Sequence, residues 1–220
     1  MRRRLALFAA ACLAVPALAL AAAGDPKEAF TPSDQAKAKS MLLVRGDLAA
    51  GWKRTQTPAQ DDLTCASFNP DLSDLTLTGE SETEFAHGPS GASLFSYAAV
   101  YATPADAGAA WNRMLKPALS RCFAQVIRDA VGKGATVTFS KQGRVAFPKV
   151  APRVYALRIA CVVGAAGFDV KVPVALDLVV LGRGRGEVTL MTIAMGKGIA
   201  QADLRAFARL LSSRLQRAGV

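Results

Sequence analysis

Apolar residues recur at three- and four-residue steps in three segments, and this spacing predicts three helices. The first helix begins in the sequence TPSD at 31–34 and is predicted to end near Arg45. The second spans 103–131, and its internal Pro117 should bend or split it. The third covers 200–217. The first two begin with Thr-Pro-x-Asp, where Thr caps the free backbone N–H groups and Asp complements the helix dipole.

Alternation of apolar and polar residues predicts strands in the rest of the chain. The clearest case is 168–181, where Asp177 falls on the polar side that should face solvent. The six predicted strands are 79–86, 92–102, 135–146, 150–163, 168–181 and 187–195. Adjacent strands joined by short turns favour an antiparallel sheet. We predict an α+β single domain, a twisted antiparallel sheet of about six strands flanked by three helices.

The N-terminal residues predict export from the cell. Three arginines precede an apolar stretch and small residues, which is typical of a signal peptide over 1–23. The alternative is an N-terminal anchor that is not cleaved. Residues 24–32 are then a short linker, and 33–220 form the domain. We expect a secreted or extracytoplasmic bacterial protein, cleaved near Ala23.

Three cysteines remain after the predicted cleavage: Cys65, Cys122 and Cys161. Outside the cytoplasm a disulfide is favoured, and three cysteines allow three single pairings. Zinc needs four ligands, and His87 is the one histidine in the sequence. We therefore predict neither a metal site nor a cofactor.

Charge is distributed unevenly along the chain. The net formal charge is +10. Residues 55–112 carry eight acids and no Lys or Arg, whereas 113–220 carry eighteen bases and five acids. One interpretation is that acidic and basic elements pair within the sheet, and the other is a basic face for an anionic partner. The bases are not clustered with aromatic residues, which argues against nucleic-acid binding.

Acidic residues offer the main candidates for catalysis. Glu80, Glu82 and Glu84 share one face of a predicted strand, about 7 Å apart in succession. They could belong to a cation site or a glycosidase, but a solvated face paired with Lys141 or Arg144 is the simpler interpretation. His87 lacks a nucleophile in a recognisable motif. We therefore predict no catalytic residues and a protein that is not an enzyme, with a hydrolase as the less favoured alternative.

Two glycine-rich turns could contact an anion. GRGRG at 182–186 places Arg183 and Arg185 among glycines, and GKG at 196–198 contains Lys197. Both also suit ordinary connections, a hairpin turn and a linker. Neither has the spacing of a nucleotide-binding loop.

Arg45-Gly46-Asp47 is the tripeptide that many adhesion proteins present to integrins. Here Arg45 is expected in the last turn of the first helix, with Gly46 as its left-handed stop. Asp47 then begins the sequence DLAAGW, which ends at Trp52, a predicted structural anchor. An adhesive tripeptide needs an exposed loop tip, so we predict no integrin binding.

The sequence DLAAGW, followed by Cys65 and by a helix carrying Trp111 and Cys122, resembles secreted actinobacterial PknH-like extracellular sensor domains and related PsbP-like envelope proteins. The resemblance implies a sheet flanked by helices, a ligand cleft and a sensor or binding role. It also implies a Cys65–Cys122 disulfide, with Trp111 as a second anchor. The alternative is Cys122–Cys161, because both are expected to face the core.

These features lead to two hypotheses of function. The first is a non-catalytic, sensor-like domain that binds an unidentified small or lipidic ligand between sheet and helix. The second is an envelope interaction protein that binds anionic polymer or lipid through a basic surface.

Overall fold

The computed structural model describes residues 24–55, 65, 68–88, 91–132, 134–165, 171–196 and 198–220. The predictions for the signal peptide, Lys197 and residues 168–170 lie outside this part of the chain. The helices in it are α1 Pro32–Met41, α2 Pro104–Met114, α3 Pro117–Val131 and α4 Gln201–Arg217. No helix among these residues is long and apolar enough to cross a membrane.

The capping predicted for the first two helices is confirmed. The Asp34 amide donates to the Thr31 hydroxyl over 3.1 Å, and the Asp106 amide donates to the Thr103 hydroxyl over 3.0 Å. In each helix proline occupies the first turn, where its missing N–H costs nothing.

The predicted end of the first helix is wrong. It stops at Met41, and Leu42 is extended, which lets Leu42 and Leu43 both enter the core. Arg45–Asp47 forms a separate 3-10 turn, and Gly46 is not among the glycines with positive φ. Gly46 is therefore not a left-handed stop.

The long second helix is two helices. The chain leaves helical geometry at Leu115 and Lys116, and Pro117 occupies the first turn of α3. The predicted split at Pro117 is confirmed, and the described helices number four instead of three.

Eight strands form one sheet in the described chain, two more than predicted. They are β1 Lys27–Glu28, β2 Trp52–Thr55, β3 Thr76–His87, β4 Ala92–Tyr101, β5 Ala135–Arg144, β6 Arg153–Ala165, β7 Lys171–Arg183 and β8 Gly186–Met195. Their order is β1-β3-β4-β8-β7-β6-β5, with β2 also on β3. The long strands pair antiparallel, as predicted, whereas β1 pairs parallel to β3. Strands as short as β1 and β2 leave no periodic pattern to detect.

Helices cover both faces of the sheet. On the front face, α2 and α3 pack on residues such as Ala99, Leu157 and Met191. On the back face, α1 and α4 pack on residues such as Val179 and Leu190.

The predicted exposure of Asp177 is therefore wrong. Asp177 points to the back face and is only 3% exposed, because the sheet is not one-sided. Burial raises the pKa of its carboxyl, and the nearby Arg158 guanidinium offsets part of that rise. The Arg158 Nε lies 3.6 Å from Asp177 Oδ1.

Helix α1 closes the outer edge of β3 between β1 and β2. A Cβ on Gly79 would come within 2.4 Å of the Asp34 backbone, so the helix approaches the strand as closely as only glycine permits. The Gln35 side chain accepts the Glu80 amide at 3.1 Å, and Thr83 donates to the Leu43 carbonyl. At the opposite edge, β5 carries a bulge between Phe139 and Lys141, which protects an edge strand from pairing with another chain.

Two ion pairs tie the N-terminal part of the domain to the C-terminal part. Arg185 donates to both Asp34 oxygens over 2.6 and 2.7 Å, and Arg214 donates to both Asp47 oxygens over 2.7 and 2.8 Å. The first pair holds the pKa of Asp34 far below its usual range, mainly through the hydrogen bond from Arg185. The Asp47 carboxylate also accepts the Val44 amide, so the tripeptide is part of an internal junction.

Candidate functional site

The β3 glutamates and the bases of α3 and β5 lie at opposite edges of the sheet. The glutamates of β3 are five strand spacings from β5, which is about 24 Å. The Debye length in physiological salt is about 8 Å, so these charges do not neutralise one another. The predicted pairing of Glu80, Glu82 and Glu84 with Lys141 or Arg144 is therefore wrong. The uneven distribution of charge along the sequence thus becomes an uneven distribution of charge over the surface.

The basic edge is formed by Lys116, α3, β5 and the connection 145–152, and we call it the basic end. Six of its cationic side chains are exposed: Lys116, Arg121, Arg128, Lys141, Arg144 and Lys149. Asp129 is the one acid among these described elements, and its Oδ1 accepts from the Gln125 amide over 2.8 Å. Uncompensated charge of this kind attracts anions from solution.

Two arginines of the basic end lie on aromatic rings of the front face. The Arg128 guanidinium carbon is 4.7 Å from the Phe139 ring centre, and that of Arg144 is 5.5 Å from the Tyr155 ring centre. Neither has a carboxylate within 4 Å in the described chain, unlike Arg113, which pairs with Asp74. A stacked guanidinium keeps its edge N–H groups open to a ligand.

These stacks correct the prediction that the bases are separate from aromatic residues. Arg128 on α3 meets Phe139 on β5, and Arg144 on β5 meets Tyr155 on β6. Sequence analysis missed them because each pair joins two elements. Strand register could have found the second, since Arg144 pairs with Leu157, two residues from Tyr155 on the same face.

A third arginine joins α2 to the sheet. The Arg153 guanidinium lies 5.3 Å from the Trp111 ring and donates to the Gly184 carbonyl over 3.1 Å. A Cβ on Gly182 would come within 2.6 Å of Arg153 Nε, so glycine leaves the space for this side chain. Trp111 is half-buried on α2 and contacts this cation, whereas its role as an anchor stays a prediction.

Glu187 is the most perturbed carboxyl of the front face. It lies on β8 beside Gly182 of β7, and Arg153 is the next residue across the sheet. Its Oε2 is sealed from solvent and accepts no hydrogen bond within the described residues. Burial raises the pKa of Glu187 to about 7, although Arg153 acts in the opposite direction. Nothing in the sequence alone marked this carboxyl.

The β3 glutamates also have perturbed carboxyls. Burial raises the pKa of Glu80 and of Glu84, and Glu80 accepts from the Tyr97 hydroxyl over 3.0 Å. Glu84 is four positions after Glu80, so the two lie about 13 Å apart along the strand. This distance is longer than the separation of the two carboxylates in glycosidases. Glu82, between them, is exposed.

Arg183, Arg185 and Lys197 do not form one site in the described residues. Arg185 is paired with Asp34 and also donates to the Tyr101 carbonyl over 3.0 Å. Its guanidinium is therefore already bound within the protein, which corrects its predicted role as an anion contact. Arg183 ends β7, and its buried Nε has no hydrogen-bond partner there. Lys197 lies outside the described residues. GRGRG is therefore a hairpin turn at Gly184 and Arg185.

The structure places the disulfide between Cys65 and Cys122, the pairing that the resemblance implied. Cys161 is buried in the same front-face cluster but outside the bridge. Trp52 is 8% exposed in the back-face core, as predicted for an anchor, and its ring meets His87 edge-on at 5.4 Å.

An apolar hollow separates the C-terminal turns of α3 from the sheet. Ile127, Val131, Val163, Leu176 and Ile193 are among its lining residues. Its volume is about 20 Å³, room for about one water, whereas ligand pockets hold roughly 300 Å³ or more. This hollow does not accommodate the predicted small or lipidic ligand.

Comparison with known proteins finds a distant structural likeness. No family model matches the chain, and no curated protein matches it. Among solved structures, the chain is similar to the extracellular domain of PknH from Mycobacterium tuberculosis, at 8% identity and a TM-score of 0.42. The match covers 84% of this chain and 96% of that one. So distant a likeness gives no basis for assigning a function.

Proposed function

We propose that this chain is an extracytoplasmic, non-catalytic interaction domain that binds an anionic component of the cell envelope through its basic end. The observation that carries the proposal is the excess of exposed cations at the basic end. Six exposed cations lie there, with one acid among them. The acids of β3 are too far away to neutralise them.

Two further features support this proposal. The Cys65–Cys122 disulfide suits an oxidising compartment, as does the predicted signal peptide. The Phe139 and Tyr155 rings are covered by guanidinium groups, so they are not open platforms for stacked bases. A polymer or lipid of the envelope fits better than nucleic acid. The internal use of Asp47 likewise leads us to propose no adhesive role for Arg45–Asp47.

The test measures binding of the mature chain to isolated cell wall and to anionic vesicles at several salt concentrations. We expect affinity to fall steeply with salt, because exposed charges are screened. Lys141→Glu with Arg144→Glu should abolish most of the binding. The matched control is Arg205→Glu with Arg209→Glu, an equal change of charge on exposed positions of α4. The proposal is wrong if the affinity does not depend on salt concentration, or if both double variants weaken binding equally.

A further inference from the structure

The basic end contains two arginines whose geometry is more specific than charge attraction requires. Arg128 and Arg144 are exposed, lie against rings and have no carboxylate within 4 Å in the described chain. Arg113, Arg158, Arg185 and Arg214, in contrast, each pair with an aspartate. Aromatic rings thus hold the orientation of two guanidinium groups that donate no hydrogen bond to another described residue.

Both stacks project on the front face and follow the same strand. Phe139 pairs with Cys161 and Arg144 pairs with Leu157, which are both front-face residues of β6. Arg144 is five positions after Phe139, and one of those positions is taken up by the bulge. Phe139 and Arg144 are therefore about 13 Å apart along β5. Gln142 lies between them on the front face, whereas Lys141 pairs with Ala160 and points to the back face.

This spacing selects the kind of anion. A single phosphate or carboxylate cannot contact two guanidinium groups held at strand positions about 13 Å apart, whereas a linear polymer with repeating charges can contact both. The exposed large apolar residues of the described chain are Phe30 and Val44, which belong to the segments around α1 and not to the basic end. The basic end therefore offers no apolar side chain of that size to insert into a membrane.

We propose that Arg128 and Arg144 form a two-point grip that binds a linear, phosphate-bearing polymer along β5. This inference rests on the proposed function and adds the binding residues and the class of partner. Each guanidinium contacts one phosphate through two parallel N–H groups, which a lysine ammonium cannot reproduce. The polymer between the two contacts runs along the front side of the β5 edge, past Gln142. Length of the polymer then matters, because the second contact forms only if the chain spans the gap.

The experiment uses the mature chain, with long-chain inorganic polyphosphate and tripolyphosphate as probes at equal phosphate concentration. We expect the long chain to bind at least about tenfold more tightly per phosphate, since tripolyphosphate is too short to reach both arginines. Arg128→Lys with Arg144→Lys preserves net charge and should remove most of that advantage. Arg205→Lys with Arg209→Lys is the matched control on α4 and should leave it unchanged.

Three outcomes separate this inference from the broader proposal. If neither phosphate probe, cell wall nor phosphatidylglycerol vesicles bind, both proposals fail. If polyphosphate binds but its length advantage survives the Arg128 and Arg144 exchange, the two-point grip alone is overturned. If phosphatidylglycerol vesicles bind and polyphosphate does not, the partner is a lipid surface and the polymer assignment is wrong. Circular dichroism of each variant establishes that it is folded.

Discussion

Neutralising Glu187 should make the domain more stable in alkaline solution than the natural chain. The Glu187 carboxyl has a sealed oxygen without a hydrogen-bond partner among the described residues, and its pKa is raised from 4.5 to about 7. The folded state therefore holds a proton that the unfolded state releases between these two pH values. Stability from this group is present below pH 4.5 and is lost as pH rises through about 7.

The size of the effect follows from the difference between the two pKa values. Each pKa unit corresponds to about 1.4 kcal/mol, so a rise from 4.5 to about 7 corresponds to about 3 kcal/mol. Glu187→Gln has no ionised form and escapes this loss. The difference in free energy of unfolding between the variant and the natural chain should therefore change by about 3 kcal/mol in favour of the variant when the pH is raised from 4.5 to 8.

Urea unfolding of both proteins at several pH values, followed by circular dichroism, measures this difference. Glu82→Gln is the matched control, because Glu82 is exposed on the same face of the sheet and its charge only adds to the raised pKa values of Glu80 and Glu84. Its replacement should give a much smaller relative gain. A relative change below about 1 kcal/mol for Glu187→Gln would show that the carboxyl is solvated or paired in solution. The account of Glu187 given above would then be refuted.

Three further substitutions test other features of the fold. Asp34→Asn leaves Arg185 without its anion and should lower the free energy of unfolding in urea by about 3 kcal/mol at pH 7. Because the pKa of Asp34 is lowered in the folded state, this difference should shrink only below pH 3.8. Gly79→Ala should lower the thermal midpoint by several degrees, because its Cβ meets the α1 backbone, whereas Gly46→Ala, with nothing within 4 Å, should leave it within about 1 °C. An equal effect of the two glycine changes would contradict the close packing of α1. Removing the Cys65–Cys122 bridge with serine at both positions should cost about 4 kcal/mol for a separation of 57 residues, and an unchanged urea midpoint would argue against the bridge.

Sequence patterns predicted the elements that repeat a local rule. The TPxD caps, the split at Pro117 and the long antiparallel strands all depend on residues a few positions apart. The end of α1 was missed because Met41, Leu42 and Leu43 suit a helix and a core-filling turn equally well. Only contacts with distant strands decide between them.

The candidate site was predictable in charge but not in geometry. The run of bases after Asn112 marks a basic half of the chain, yet it does not show which cations are already paired. Arg185 looked available and is paired with Asp34, whereas Arg128 looked ordinary and is held on a ring. Both facts arise from neighbours that only the order of strands brings together.

The two long-range ion pairs constrain when the fold can form as the chain is synthesised. They join residues 151 and 167 positions apart, so each waits for nearly the whole domain. A chain that emerges with its N-terminus first cannot finish docking α1 until the β7–β8 turn has emerged, nor fix Asp47 until α4 has followed. Until that moment Asp34 and Asp47 lack their charge partners, so completion of the fold waits for the last helix.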